Sequence, residues 1–145
     1  MRALIAALIL LAAAVSPAQA AKPDPKAATT PVSLYVNVDP VALPVVSDGR
    51  VVNYVFVTVR IDLAAGTQLQ AIDALRGKEP FFRDALVRLG HRTPFNPPGN
   101  FLEVDEARLC AAYLTEARGI AGPGAVTGVR VMMQTPKSTR VASGG

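Results

Sequence analysis

The chain has 145 residues, 50% of them hydrophobic, which suits one domain with its own core and an export segment ahead of it. The formal charge is +4, but the basic residues are scattered and not interleaved with aromatics, so the footprint of a nucleic-acid binder is missing. The one cysteine, Cys110, excludes an intramolecular disulfide, and its neighbours Leu109, Ala111 and Ala112 mark it as a small buried hydrophobe.

Residues 1–20 have the layout of a secretory signal peptide. Met1-Arg2 is a short positive start, Ala3 to Val15 is an apolar run, Ser16-Pro17 breaks it, and Ala18-Gln19-Ala20 is a small-x-small cleavage site. A second reading stays open. No charge falls between Ala3 and Ala21, which is close to the length that spans a bilayer. An uncleaved anchor over residues 3–21 would leave Arg2 inside and the domain outside. Either way the expected location is the periplasm, with membrane contact only if that segment is retained. Residues 21–32, with Pro23, Pro25 and Pro31, read as an extended tether.

The expected domain covers residues 33–136. Ser33 to Asp39 alternates Leu34, Val36 and Val38 against Tyr35 and Asn37, which is a first strand, ended or bent at Asp39-Pro40. Val41 to Val46 is extended again, with Pro44 marking an edge or a bulge. Ser47-Asp48-Gly49-Arg50 is a turn. Val51 to Leu63 is then the longest strand. Val51, Val55, Val57, Val59, Ile61 and Leu63 point one way, broken only by Asn53; Val52, Tyr54, Phe56, Thr58, Arg60 and Asp62 point the other. At ~3.3 Å per residue it spans roughly 43 Å, so it needs partners on both edges and a cover on its apolar face.

Thr67 caps a short helical stretch with Leu69, Ile72 and Leu75, interrupted by Gly77. Pro80 opens a longer run in which Phe82, Ala85, Leu86 and Leu89 form a stripe expected to lie across the sheet, with Gly90 as the residue after its end. Residues 91–100 connect, with Pro94, Pro97, Pro98 and Gly99. Asp105 caps a third helix with Ala107, Cys110, Ala111 and Leu114 as its buried stripe, Leu109 and Tyr113 beside it, and Gly119 as its stop. After Gly122-Pro123-Gly124, residues Ala125 to Thr135 form a last strand, with Val129, Val131 and Met133 alternating against Arg130 and Met132. Residues 137–145 read as a frayed tail. The order β-β-β-α-α-β implies an α+β class, a largely antiparallel sheet with helices on one face.

Chemistry-bearing residues are sparse. His91 is the one histidine, placed at a helix end where it can meet the last carbonyls. One histidine and one cysteine do not make a zinc constellation. Glu103, Asp105 and Glu106 could hold calcium through oxygens, but they read better as carboxylates facing a helix N-terminus. Gly119, Gly122 and Gly124 follow a helix and precede a strand, the reverse of a dinucleotide fingerprint. No cofactor and no catalytic activity are expected. The mixed face of the long strand is the better functional candidate: Tyr54, Phe56 and Arg60 form a candidate interaction surface, with Phe81 and Arg83 off the stripe of the second helix as a further part.

The layout resembles the FliL family of flagellar basal-body-associated proteins, whose periplasmic domain has a fold similar to stomatin-type (SPFH) domains. The resemblance is carried by residues 35–40 (Tyr-Val-Asn-Val-Asp-Pro), by the long strand from Tyr54 to Leu63, by the run Pro80 to Leu89 with its Arg83-Asp84 pair, and by Val126 to Gln134 as closing strand. It covers residues 33–135. It implies a non-enzymatic periplasmic scaffold that associates with itself and with protein partners at the inner membrane, supporting the flagellar basal body or motor. The alternative is a soluble periplasmic binder of a small ligand or peptide, with a pocket between helices and sheet lined by Met132 or Phe95.

Overall fold

The alternation in residues 51–63 is what the molecule is assembled around. The computed structural model describes residues 34–139 and contains β1 (Tyr35–Ser47), β2 (Arg50–Leu63), α1 (Leu69–Arg76), α2 (Glu79–Arg92), α3 (Glu106–Ala121) and β3 (Val126–Pro136). The signal-peptide, anchor and tether readings of residues 1–32 lie outside the described residues, as does the end of the tail. The strands form an open antiparallel sheet in the order β1-β2-β3, with the long β2 in the middle. The α+β class is as expected, but the order is β-β-α-α-α-β: residues 33–39 and 41–46 belong to one strand, and the short run after Thr67 is a helix in its own right.

Asp39-Pro40 bends β1 without ending it. The pairing passes from Val38↔Val59 to Val41↔Val57, leaving Asp39 and Pro40 opposite Thr58 alone. A bulge at this point takes the missing N–H of Pro40 out of the ladder. At the hairpin tip Asp48 and Gly49 take φ of 50° and 74°, the two positive values that a type I′ two-residue turn demands.

One face of the sheet is sealed. Val36, Val38, Val41, Leu43 and Val45 of β1 and Val55, Val57, Val59 and Ile61 of β2 are buried, and α2 lies over β1 while α3 runs with β3. The stripe Phe82, Ala85, Leu86, Leu89 is buried throughout, as its spacing predicts. Gly90 is not the stop of α2. It lies inside the helix, and a Cβ there would stand 2.6 Å from Leu43 Cδ2, so glycine is present because helix and strand touch at that point. Thr93 ends the helix instead.

In α3 the buried line is Leu109, Tyr113 and Ala117; Ala107 and Ala111 are exposed, and Cys110 and Leu114 are half-buried. The expected stripe is therefore off by about one residue, ~100° around the axis. Burial scales with apolar area, so the large Leu109 and Tyr113 side chains take the interior and the alanines turn outward. The Tyr113 hydroxyl donates to the Phe82 carbonyl at 2.8 Å, joining α3 to α2, and burial pushes its phenol far above the usual tyrosine range, with the Glu79 charge adding to the effect. Asp105 caps α3 as expected, accepting from Arg108 N–H at 3.0 Å. Gly119 lies within the helix, which ends at Gly122, where φ is 102°.

Each outer strand of the sheet is met by side chains at two points. Asp39 N–H donates to Glu79 Oε1 at 3.1 Å. The Asn96 amide donates to Val46 C=O and accepts from Val46 N–H, both at 3.1 Å, copying a strand neighbour. On β3, Arg118 Nε donates to Val126 C=O at 3.2 Å and Cys110 meets the Val131 backbone. Contacts of this kind disfavour strand addition by another chain at those points.

Asn53, the break in the apolar alternation, is the one polar residue buried among those described. Its amide donates at 2.9 Å to the carbonyls of Phe101 and Ser138, and its oxygen accepts from Tyr54 N–H at 2.9 Å and Ser138 N–H at 3.3 Å. Lys137 N–H donates to Tyr54 C=O at 2.7 Å. Residues 137 and 138, read as the start of a loose tail, are thus held against β2.

Candidate interaction surface

Pairing across the sheet fixes which side chains share the face that the helices leave uncovered. β1 gives Tyr35, Asn37, Ala42 and Pro44; β2 gives Tyr54, Phe56, Thr58, Arg60 and Asp62. On β3, Arg130 pairs with Arg60, but a register shift follows, from Val59↔Val131 to Thr58↔Met133. That bulge reverses the expected placement of Met133. It joins Arg130 on the uncovered face instead of Val129 and Val131 on the covered one, and it is 61% exposed.

The uncovered face has two ends. Towards the hairpin tip it is apolar: Val52, Phe56 and Met133 are exposed, and Ala42, Tyr54, Phe56 and Lys137 frame a shallow depression of about 360 Å³. Lys137 Nζ sits 5.7 Å from the centre of the Tyr54 ring, within cation–π reach. The far end is charged. Arg130 Nε donates to Asp62 Oδ2 at 2.7 Å, and Arg60 Nε lies 3.2 Å from Asp62 Oδ1 but off the hydrogen-bond direction, so that contact is an ion pair. The Arg60 guanidinium also stacks 5.0 Å over the Tyr35 ring. The bond to Asp62, then the charge of Asp62, holds the Arg130 guanidinium above its usual range.

Of the expected surface residues, Tyr54, Phe56 and Arg60 therefore share one face. Phe81 and Arg83 do not join them: both are exposed on α2, in the helix layer on the opposite side of the sheet. The alternation of β2 already placed Asp62 on this face, whereas Arg130, Met133, Lys137 and Tyr35 were not expected on the surface. The alternation of β3 carried the signal for Arg130, but only the register puts it beside Arg60.

The remaining candidates are absorbed by structure. His91 Nδ1 lies 2.9 Å from Val87 C=O and donates to it, one turn back along α2 rather than to the last carbonyls of the helix. Asp105 is a cap, Glu106 accepts from Gln134 Nε2 at 2.8 Å and Glu103 from Asn100 Nδ2 at 3.2 Å. Among the described residues no group of three or more histidine, cysteine or acidic side chains could hold a metal ion. Cys110 is half-buried and burial raises its thiol pKa, the opposite of an activated nucleophile. Phe95 is in the core beside Arg108, whereas Met132 is exposed on β3. No helix among the described residues is long and apolar enough to cross a membrane.

The fold defines an α+β protein: three helices on one side of an open, three-stranded antiparallel sheet. Comparison with protein-family models and with curated proteins gives no match.

Proposed function

We propose that this is a non-enzymatic interaction module of an exported protein, docking through the uncovered face of its sheet. The observation that carries the reading is the contrast along β2. Val55, Val57, Val59 and Ile61 are fully buried, while their neighbour Phe56 is 42% exposed and shares its face with exposed Val52 of β2 and Met133 of β3. Aromatic residues, methionine and arginine gathered on one flat surface are what protein interfaces are enriched in. Side chains cap each outer edge at two points, Asp39 and Val46 on β1 and Val126 and Val131 on β3, which disfavours extension of the sheet there.

The export reading of residues 1–20 supports a periplasmic location. The resemblance of residues 33–135 to FliL supports self-association and partners at the inner membrane, in the service of the flagellar basal body or motor. That finer role rests on the residues quoted for the resemblance, since no family model adds to it.

A photo-crosslinking amino acid at position 56, in the full chain expressed in its native host, tests the docking reading. A discrete adduct from position 56, and none from Arg88 on the exposed side of α2, is the expected result. No adduct, or equal adducts from both, rejects it. Deleting the gene and scoring swimming tests the flagellar form.

A further inference from the structure

We propose that the uncovered face recognises an acidic, apolar-anchored segment of a partner protein: its carboxylates meet Arg60 and Arg130, and an apolar side chain enters the depression between Ala42, Tyr54 and Phe56. The proposal rests on the docking reading above and names the chemistry of the partner.

Charge carries the first half. Arg60 and Arg130 are direct cross-strand partners, an arrangement of like charges that destabilises a sheet unless compensated. One carboxylate, Asp62, stands between them and contacts the Nε of each. Among the described residues neither guanidinium makes a further hydrogen bond. Two positive groups thus share one negative one, and their paired Nη donors are left for an incoming carboxylate, whose geometry a guanidinium fork matches. Lys137 adds a third cation at the other end of the face.

Spacing carries the second half. Phe56 and Arg60 lie on the same face of one strand, four residues apart, so the depression and the arginine pair are ~13 Å apart. An extended segment along β2 would span that gap with an apolar residue and an acidic one about four positions apart. A lipid headgroup surface is less suited. Of the two arginines only Arg130, 60% exposed, reaches outward, while Arg60, 19% exposed in its side chain, lies back against the Tyr35 ring, so the pair is not presented together to a flat surface.

The test uses the full-length protein and synthetic ten-residue peptides, fluorescently labelled, in both chain directions. One carries leucine with glutamates four and five positions away; the second has lysines for the glutamates; the third has serine for the leucine. Fluorescence anisotropy at low salt is expected to show the first binding at least tenfold more tightly than either control. Raising the salt weakens it. Arg130→Gln, at a side chain 60% exposed, removes the preference for glutamate, and Phe56→Ser removes the preference for leucine; circular dichroism checks that both variants stay folded. Equal binding of all three peptides, or none, overturns the proposal. So does binding only to phosphatidylglycerol vesicles, or a dimer in light scattering that Phe56→Ser dissociates. If the position-56 adduct persists in Arg130→Gln while the glutamate peptide fails, the docking reading stands and the acidic partner falls. If adduct and peptide both fail, both readings fall.

Discussion

The two faces of the sheet share a backbone but follow different rules. On the helix side, β2 presents Val55, Val57, Val59 and Ile61, all fully buried. β-branched side chains are stiff and pack closely, and each position there has a partner on α2, α3 or the neighbouring strands. On the other side Tyr54, Phe56, Thr58, Arg60 and Asp62 alternate aromatic, hydroxyl and charged groups. The first face holds the core, and the second is joined by side-chain contacts at the surface, such as Arg130 to Asp62 between β3 and β2 and Arg60 to Tyr35 between β2 and β1. Phe56 and Met133 are exposed apolar side chains of this second side, at 42% and 61%.

The comparison is broken most directly by moving a charge from one face to the next residue. Val57→Asp places an unpaired carboxylate among groups with no water, at a cost of several kcal/mol, a large part of the ~5–15 kcal/mol that holds such a domain. Phe56→Asp, one position away and half exposed, is expected to cost under ~1 kcal/mol. Urea denaturation of both variants checks this; similar midpoints would refute the division of labour. The second largest effect is expected at Asn53. Alanine there removes the amide donor to the Phe101 and Ser138 carbonyls and the acceptor of Tyr54 N–H, for a loss of ~2–3 kcal/mol. Hydrogen exchange at Ser138 should accelerate in the same variant.

How far the sequence revealed this division depended on the range of the interactions involved. Period-two alternation and the Phe82–Leu89 stripe are local signals, and they place β2 and α2 correctly. Register is not local. Whether Met133 falls with Arg130 or with Val131 depends on a one-residue bulge against β2, and nothing in residues 126–136 announces it. The same holds for Gly90, whose small size answers Leu43, nearly fifty residues earlier in the chain. In α3 the alanines obscured the buried line, because a helix with apolar residues on several sides has no single stripe until a neighbour selects one. Asn53 looked like a flaw in a pattern, and its partners Phe101 and Ser138 lie 48 and 85 residues further along the chain.

Gly90→Ala probes the covered face more gently. The methyl group improves helix propensity by ~1 kcal/mol but meets Leu43 at less than contact distance, so a net loss of ~1–2 kcal/mol is expected. Leu43→Val in the same chain should recover part of it, and a double-mutant cycle by thermal denaturation reads the coupling. Tyr113→Phe removes one hydrogen bond, worth ~1 kcal/mol. It also has a pH signature. The folded state holds the Tyr113 proton more tightly than the unfolded state does. Stability from this group is therefore complete below the unfolded tyrosine pKa of ~10 and is lost as pH rises above it. Denaturation midpoints measured from pH 8 to 11 should fall less steeply for Tyr113→Phe than for the parent protein.

The smallest effect is the sharpest test. Met133→Ser, on the uncovered face, should change stability by no more than ~0.5 kcal/mol, as exposed substitutions do. Met133 is larger than any of the buried valines opposite it, so a side chain of that size under cover would cost 2 kcal/mol or more when truncated. A loss of that order would mean that this face is covered in solution. Repeating the melt over a hundredfold range of protein concentration would then separate the sources. A midpoint that rises with concentration assigns the cover to a second copy, and one that does not assigns it to the chain itself, which would remove the surface on which the docking reading stands.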